Sequence, residues 1–164
     1  MAVSDEIRIR RAVAGDEGLL GLLCASVQEL HFRERPDVFK EPDVHCLEEW
    51  FRSTMATESV EVLIAEVGAV PAGYALVRHQ HRDQNVFCHE RRWGEVEQIG
   101  VSPDYRRHGV ARSLLSQIVE SAKAAGLVEV ELNTWSFNQS AHRAFGRLGF
   151  ETKNLRFGRR IEVR

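Results

Sequence analysis

A short segment that is rich in basic and small residues, 102–112, has the composition of an anion-binding turn. It lies between a stretch predicted to be a strand and a stretch with the apolar spacing of a helix. A helix start leaves about four backbone N–H groups without partners and carries roughly half a positive charge, which favours phosphate. Gly109 and Ala111 are small enough for backbone amides to approach a pyrophosphate. Positive potential is expected from Arg106, Arg107, His108 and Arg112.

Two familiar phosphate-binding motifs do not explain this segment. A P-loop requires Gly-x-x-x-x-Gly-Lys followed by Ser or Thr, and a dinucleotide-binding turn requires Gly-x-Gly-x-x-Gly. Neither pattern occurs in the chain. On charge alone, the alternative is a basic turn that precedes an exposed helix.

The cysteines and histidines form no standard disulfide or metal pattern. The three cysteines are widely spaced and odd in number: Cys24, Cys46 and Cys88. We predict that they are reduced and that Cys24 lies in a helical apolar face. Residues with the chemistry of zinc ligands also occur, but at no standard spacing: His79, His81, Cys88 and His89. No metal site is predicted.

Length and composition predict one globular domain over residues 1–164, with 43% hydrophobic and 28% charged residues. A net charge of -2 argues against a nucleic-acid partner that is bound through a broad basic face. No apolar run approaches the roughly 18 residues of a membrane span, and the N-terminus lacks the apolar stretch of a signal peptide. A cytoplasmic protein without a membrane partner is therefore expected.

Periodicity places these residues in an order of β-α-α-β-β-β-α-β-α-β-β. Helices are predicted at 19–30, 43–55, 109–126 and 138–148, and a loop that contains two prolines at 31–42. Strands are predicted at 7–9, 60–67, 72–77, 93–101, 127–132, 150–157 and 159–163. Residues 78–92 are either the extended end of a hairpin or a surface excursion.

Three helix caps and one crossover complete this prediction. Asp16 and Asp43 are expected to cap the first two helices, and Gly126 to end the third. The strand, helix and strand over 93–132 form a parallel crossover in a mostly antiparallel sheet. The fold class is therefore mixed α/β (α+β), with about seven strands and about four helices.

Two sequence blocks resemble the GNAT superfamily of acetyl-CoA-dependent N-acetyltransferases. Arg106-x-x-Gly109-x-Ala111, between a strand and a long helix, is similar to that family's [Gln/Arg]-x-x-Gly-x-[Gly/Ala] signature. Residues 138–150 resemble its Asn-x-x-Ala-x-x-x-Tyr-x-x-x-Gly-Phe helix. The detailed resemblance covers about residues 94–157, and element order alone extends it towards the N-terminus.

The resemblance implies acetyl-CoA as co-substrate and assigns residues to it. Backbone amides for the pyrophosphate would come from Arg107, Gly109, Val110, Ala111 and Arg112. The backbone of Ile99 and Val101 would pair with the pantetheine arm, and N–H groups over 99–101, Gly100 included, would stabilise the oxyanion. Asn138 would contact the cofactor or cap its helix, and Phe145 would pack beside the thioester.

The same resemblance implies direct transfer to a primary amine, which must first lose a proton. Glu95 and Glu97 lie on the strand that reaches the cofactor, and either could be the general base, acting through a water. Two glutamates two residues apart also suit a solvated strand face.

Phe145 departs from the family pattern because many relatives have a tyrosine there as general acid. Tyr105, Ser140 or water would replace it, or no acid is needed because a thiolate leaves readily. The alternatives to acetyl transfer are therefore transfer of a longer acyl group and a non-catalytic acyl-CoA-binding module.

The acceptor is expected to be an amine of a small molecule or a peptide, bordered by residues 31–51 and 78–92. Carboxylates that could attract it, or that are only solvated, are Glu34, Asp37, Glu41, Glu48 and Glu49. An edge strand at the C-terminus makes a homodimer conceivable.

Overall fold

The computed structural model of the protein describes residues 6–161, which fall into two compact units. The first unit ends at Asn133 and the second begins at Thr134. Among the described residues, the first contains a five-stranded sheet with three helices, and the second contains one helix followed by a segment without helix or strand. Each unit is described by itself.

The elements of the first unit follow the predicted order. The strands are β1 (Ile7–Arg11), β2 (Val60–Val67), β3 (Val70–Arg82), β4 (Arg91–Val101) and β5 (Val130–Leu132). The helices are α1 (Glu17–Glu34), α2 (Val44–Met55) and α3 (Val110–Ala124), with a short 3-10 turn at Pro103–Tyr105. The second unit contributes α4 (Gln139–Arg147).

The sheet has the order β1-β2-β3-β4-β5. Its neighbours are antiparallel except β4 and β5, which are parallel and joined by α3. The predicted crossover is confirmed. A hairpin joins β2 and β3 as expected, and residues 78–92 are mainly the long ends of the β3–β4 hairpin, whose connecting loop spans 83–90.

Two apolar layers cover alternate residues of the sheet. Tyr74 and Leu76 of β3 pack with Leu20, Cys24 and Phe51 of α1 and α2. The other face of β3 meets α3, because a Cβ added at Gly73 would lie 3.0 Å from Val110 Cγ1. The buried face of α3 matches the prediction and comprises Val110, Leu114, Leu115, Ile118 and Ala122. Cys24 lies in the apolar face of α1, as predicted.

Helix α1 is longer than the sequence predicted, because the loop expected from residue 31 begins four residues later. The first proline, Pro36, lies outside the helix and disfavours helical geometry at the residue before it. Arg35 accordingly leaves the helix, with φ of -142°. Its backbone N–H donates to the His31 carbonyl and closes the last turn.

Asp16 and Asp43 occupy the N-cap positions of α1 and α2 as predicted, but only Asp43 makes a side-chain cap hydrogen bond. The Asp16 carboxylate makes no cap hydrogen bond and instead binds the Arg10 guanidinium at 2.7 and 2.9 Å. Asp43 accepts from the Cys46 N–H at 3.0 Å. Gly126 follows the end of α3 with φ of 68°, a left-handed conformation typical of a glycine after a helix.

The predicted seven-stranded sheet is wrong, because the sheet formed by residues 6–161 has five strands. Residues 150–157 and 159–161 form no strand, and 162–163 lie outside the described residues. Leu155, Phe157 and Ile161 are mostly exposed. Their alternation favours extended backbone, but a strand takes its hydrogen bonds from a neighbour, and no described residue supplies one here. Strand β5 is also shorter than 127–132, because Leu127 N–H still donates to the carbonyl of Ala122 in α3.

Candidate functional site

The turn between β4 and α3 has alternating backbone handedness. Arg107 and Gly109 are left-handed, with φ of 67° and 86°, whereas His108 between them is not. Such alternation points successive N–H groups towards one centre and creates a concavity that favours an anion. Glycine tolerates this conformation freely, while Arg107 adopts it at a cost of roughly 1 kcal/mol. The predicted segment therefore has the backbone shape of an anion site.

The backbone N–H groups of this turn are not used inside the described part of the chain. The first bond of α3 runs from the Ser113 N–H to the Gly109 carbonyl at 2.9 Å. None of the N–H groups of residues 107–112 has a hydrogen-bond partner of ordinary geometry among residues 6–161. The turn thus presents several donors at the positive end of a helix.

Four basic side chains belong to this turn. Arg106, Arg107, His108 and Arg112 are exposed, and none forms an ion pair with a described carboxylate. Arg106 Nε lies 3.4 Å from the Val101 carbonyl, and His108 Nδ1 lies 2.9 Å from the Arg106 carbonyl. The positive charge of the three arginines is therefore available to a ligand.

The β4 edge is open next to this turn. Strand β5 pairs only with 94–96 of β4, so residues 97–101 have β3 as their only strand neighbour in the described chain. The Ser102 N–H donates to Ala72 on the β3 side. Since N–H directions alternate along a strand, the backbones of Val101 and Ile99 face the open side. An extended ligand could add to this edge as a strand does.

Gly100 packs inside the first unit rather than facing the open edge. A Cβ at this position would lie 2.5 Å from Val27 Cγ2 and 2.7 Å from Tyr74 Cε1. The glycine therefore lets α1 approach β4 closely.

A β-bulge interrupts β4 at Glu97. Leu76 pairs with Gln98 and Val77 with Val96, which leaves Glu97 as an extra residue without a partner in β3. The Glu97 carboxylate receives two bonds from the Arg78 guanidinium, at 2.6 and 3.2 Å. This pairing raises the pKa of Arg78 above its ordinary value, chiefly through the hydrogen bond.

Glu95 has different partners. One oxygen accepts from Gln80 Nε2 at 3.3 Å and the other from Asn133 Nδ2 at 3.2 Å. Both donors are neutral amides on the neighbouring strand β3 and just after β5. The carboxylate is thus oriented without an ion pair, and it is partly buried.

The partners of the two glutamates, Arg78, Gln80 and Asn133, were not predicted from the sequence. Because of the bulge, Glu97 departs from the regular alternation of side chains along a strand. An alternating hydrophobic pattern in the sequence does not reveal such a bulge. A weak signal does exist. Gln80 and Asn133 are amide residues near the ends of their strands, and both strands neighbour the strand that carries Glu95.

In the second unit, Asn138 is the N-cap of α4, since its side chain accepts from the Ala141 N–H at 3.2 Å. Phe145 packs edge-to-face on Phe150, with ring centroids 6.2 Å apart. These contacts give both residues a structural role within the unit, and their assignment to the cofactor stays a prediction.

Most of the carboxylates considered for the acceptor are paired at the surface with nearby basic residues. The pairs are Glu34 with Arg33, Asp37 with Arg35, Glu48 with Arg52 and Glu49 with His45. Among residues 6–161, no group of three or more His, Cys, Asp or Glu is placed to hold a metal ion. In the same range, no helix is long and apolar enough to cross a membrane.

Comparisons with known proteins identify the family of the chain. A sequence model described as "Acetyltransferase (GNAT) family" matches residues 24–150. The uncharacterized N-acetyltransferase MJ1207 of Methanocaldococcus jannaschii is 30% identical over 108 residues, which is 65% of this chain. The chain spans about half of that relative, 46% of its length.

Solved structures share the fold. The BH1408 protein of Bacillus halodurans, solved as a tetramutant, is 22% identical with a TM-score of 0.88, over 94% of this chain and 99% of that one. An aminoglycoside N-acetyltransferase in complex with CoA is 19% identical with a TM-score of 0.70, over 94% of this chain and 95% of its own. With a family match over most of its length and this architecture, the chain belongs to the GNAT acetyltransferase family.

Proposed function

We propose that this protein transfers an acetyl group from acetyl-CoA to a primary amine by direct attack of the amine on the thioester. The observation that carries the proposal is the turn at 107–112, whose N–H groups have no acceptor within the described chain. A diphosphate would supply acceptors for these donors and charge for the surrounding arginines.

The open edge of β4 provides a path for the rest of the cofactor. The pantetheine arm contains amide groups and would pair with the backbones of Val101 and Ile99. The arm would then end next to the bulge at Glu97, with the thioester between β4 and the end of β5. The family resemblance and the CoA complex of the similar aminoglycoside N-acetyltransferase support this placement.

Glu95 is proposed as the general base, acting through a water. An alkylamine with a pKa near 10.4 must lose its proton, and reaching the free base at pH 7 costs roughly 4.6 kcal/mol. Glu97 is a weaker candidate because the Arg78 guanidinium occupies both of its oxygens. The donors on Glu95 are neutral and leave its charge uncompensated by an ion pair.

No general acid is required at Phe145. The leaving thiolate has an ordinary pKa near 8.5, so it departs without strong acid help.

Calorimetric titration with acetyl-CoA tests whether the turn at 107–112 binds the diphosphate. Gly109→Ala adds a methyl group at the turn, and only Ile7 Cδ1, at 3.6 Å, lies within 4 Å of the new Cβ. Gly126→Ala is the matched control, because Gly126 is also left-handed and has open space around it. Both variants should lose about 1 kcal/mol of stability from backbone strain.

Only Gly109→Ala should weaken acetyl-CoA, by about 10- to 100-fold, because its methyl group displaces the phosphate from charge-assisted hydrogen bonds. Equal affinities for the two variants would contradict the assigned site.

The second candidate is a non-catalytic acyl-CoA-binding module, which the phenylalanine at position 145 favours. Free thiol released during incubation with acetyl-CoA and a panel of amines separates the two functions. Acetyl-CoA binding without amine-dependent thiol release would establish the module. Replacing acetyl-CoA with longer acyl-CoAs in the same assay determines the acyl group.

A further inference from the structure

A small polar cluster lies at the border of the core next to the bulge in β4. It consists of Tyr74 on β3, Cys24 on α1 and Gln98 on β4. Tyr74 and Cys24 are buried, whereas Gln98 is only partly buried. Neither the tyrosine nor the glutamine takes part in the mechanism proposed above.

The two buried residues fix the orientation of the Gln98 amide. The Tyr74 hydroxyl donates to Gln98 Oε1 at 2.9 Å, and the Cys24 thiol donates to the same oxygen at 3.6 Å. Burial raises the pKa of both groups, so each keeps its proton and acts as a donor. The carbonyl end of the amide is thereby held towards the core.

The nitrogen end of the amide is unused within the described part of the chain. Gln98 Nε2 donates to no acceptor among the described residues. Among the described residues, the fully buried side-chain polar atom without a partner is Trp93 Nε1. Gln98 Nε2 also has no partner but is not fully buried, so solvent can reach it. An oriented hydrogen-bond donor without a partner, next to the candidate site, is available to a ligand.

The register places this donor on the same sheet face as Glu95. Gln98 pairs with Leu76, and Glu95 pairs with Arg78. Leu76 and Arg78 are two residues apart on β3, which has no extra residue there, so they share a face. On this face, α1 and α2 cover Leu76, which is buried, but they leave Arg78 partly exposed.

We propose that Gln98 determines acceptor specificity by donating an Nε2 hydrogen bond to an oxygen atom of the amine substrate. Tyr74 and Cys24 are positioning residues that hold the amide. The preferred substrate is then an amine with a nearby carbonyl or hydroxyl oxygen. This inference rests on the proposed acetyl transfer and on Glu95 as the base on the same face.

The test compares matched amines with and without an oxygen: ethanolamine with propylamine, glycinamide with methylamine, and norleucinamide with pentylamine. A nearby oxygen also lowers the pKa of an amine and raises its free-base fraction, so kcat/KM is expressed per free base. On that scale the wild-type protein should favour the oxygen-bearing member of at least one pair by about tenfold. Gln98→Glu keeps an acceptor for Tyr74 and Cys24 but replaces the outward donor with an oxygen. It should abolish or reverse the preference.

Two further variants separate specificity from a structural effect. Tyr74→Phe removes one of the two anchors and should reduce the preference partially. Gln117→Glu makes the same chemical change on the exposed side of α3 and should leave the preference unchanged.

A preference that survives in Gln98→Glu, or an equal loss for both members of every pair, would overturn the role of Gln98. Transfer to no amine of the panel while acetyl-CoA still binds would instead contradict the proposed acetyl transfer, on which this inference rests. Failure of acetyl-CoA to bind in calorimetry would instead remove the proposed function itself.

Discussion

At the scale of single residues, the carboxylates of this protein differ mainly in the charge of their partners. Glu97 is bound by a guanidinium on both oxygens, whereas Glu95 is bound by two amides. A carboxylate that must accept a proton during turnover does so more readily when it does not also have to release a cation. Glu95 and Glu97 look equivalent in the sequence, but their partners make them differ in how readily each could act as a base.

Glu95→Gln should lower kcat for amine acetylation by about 10²- to 10⁴-fold at pH 7, the range typical of a lost general base. The deficit should shrink as pH rises towards the pKa of the amine, because the substrate then arrives deprotonated. Steady-state kinetics over this pH range, with acetyl-CoA affinity as a folding control, measures both effects. A larger loss in Glu97→Gln would transfer the role of base to Glu97.

Asp16 should make stability depend on pH. Its hydrogen bond to Arg10 lowers the pKa of the carboxyl below the ordinary value near 3.9. The stabilisation is therefore present above about pH 4 and is lost as pH falls through the folded-state pKa. Asp16→Asn should cost about 1–2 kcal/mol at neutral pH and progressively less in acid.

Urea unfolding at several pH values measures this difference. Glu120→Gln, which removes the exposed partner of Lys123, should stay within about 0.5 kcal/mol of the wild type at every pH. A constant deficit for Asp16→Asn between neutral and acid pH would contradict the assignment.

At the scale of elements, the close approach of α1 to β4 depends on Gly100. Val27 of α1 and Tyr74 of β3 fill the space that a Cβ would need. The same helix carries Cys24, so its position also sets the Gln98 amide. Packing of α1 thereby connects the core with the candidate site.

Gly100→Ala should destabilise the fold by about 1–3 kcal/mol, the usual cost of overpacking. Val27→Ala added to it should recover part of the loss, because it removes the contact predicted at 2.5 Å. Gly94→Ala on the same strand would meet neighbours only at 3.5 Å or more and should change stability by less than about 1 kcal/mol. Chemical denaturation of the four proteins tests this, and equal effects at Gly94 and Gly100 would contradict it.

Sequence periodicity predicted the elements through α4 because each buries a clear apolar face, as α3 does with Leu114 and Ile118. It could not predict the bulge at Glu97, since an extra residue in one strand depends on the register with its neighbour. The predicted end of α1 was too early, because Pro36 was taken to interrupt the helix at residues whose backbone it does not restrict. Sequence periodicity also assigned strands to Leu155 and Phe157 from alternation, which gives no partner for their backbone.

At the scale of the whole molecule, the charge of the protein and the charge of its candidate site have opposite signs. The net charge is -2, yet the turn carries three exposed arginines without described carboxylate partners. Such a local field attracts a polyanion such as CoA even when the protein as a whole is weakly acidic. Binding through it should respond to ionic strength.

The affinity for CoA should fall roughly 3- to 10-fold between about 50 mM and about 500 mM NaCl, because salt screens exposed charges beyond a few ångströms. Arg107→Gln should reduce this salt dependence. Arg52→Gln, on the exposed surface of α2, should leave it unchanged. Calorimetry at several salt concentrations measures the slopes, and a salt-independent affinity would exclude the arginines from the site.

The most direct test of the account is the backbone amide NMR spectrum of the protein titrated with CoA. The largest chemical-shift changes should occur at residues 107–112 for the diphosphate, with further changes at Ile99 and Val101 for the pantetheine arm. Saturable binding that leaves the amides of 107–112 unshifted would show that the diphosphate lies elsewhere and would contradict the proposed site.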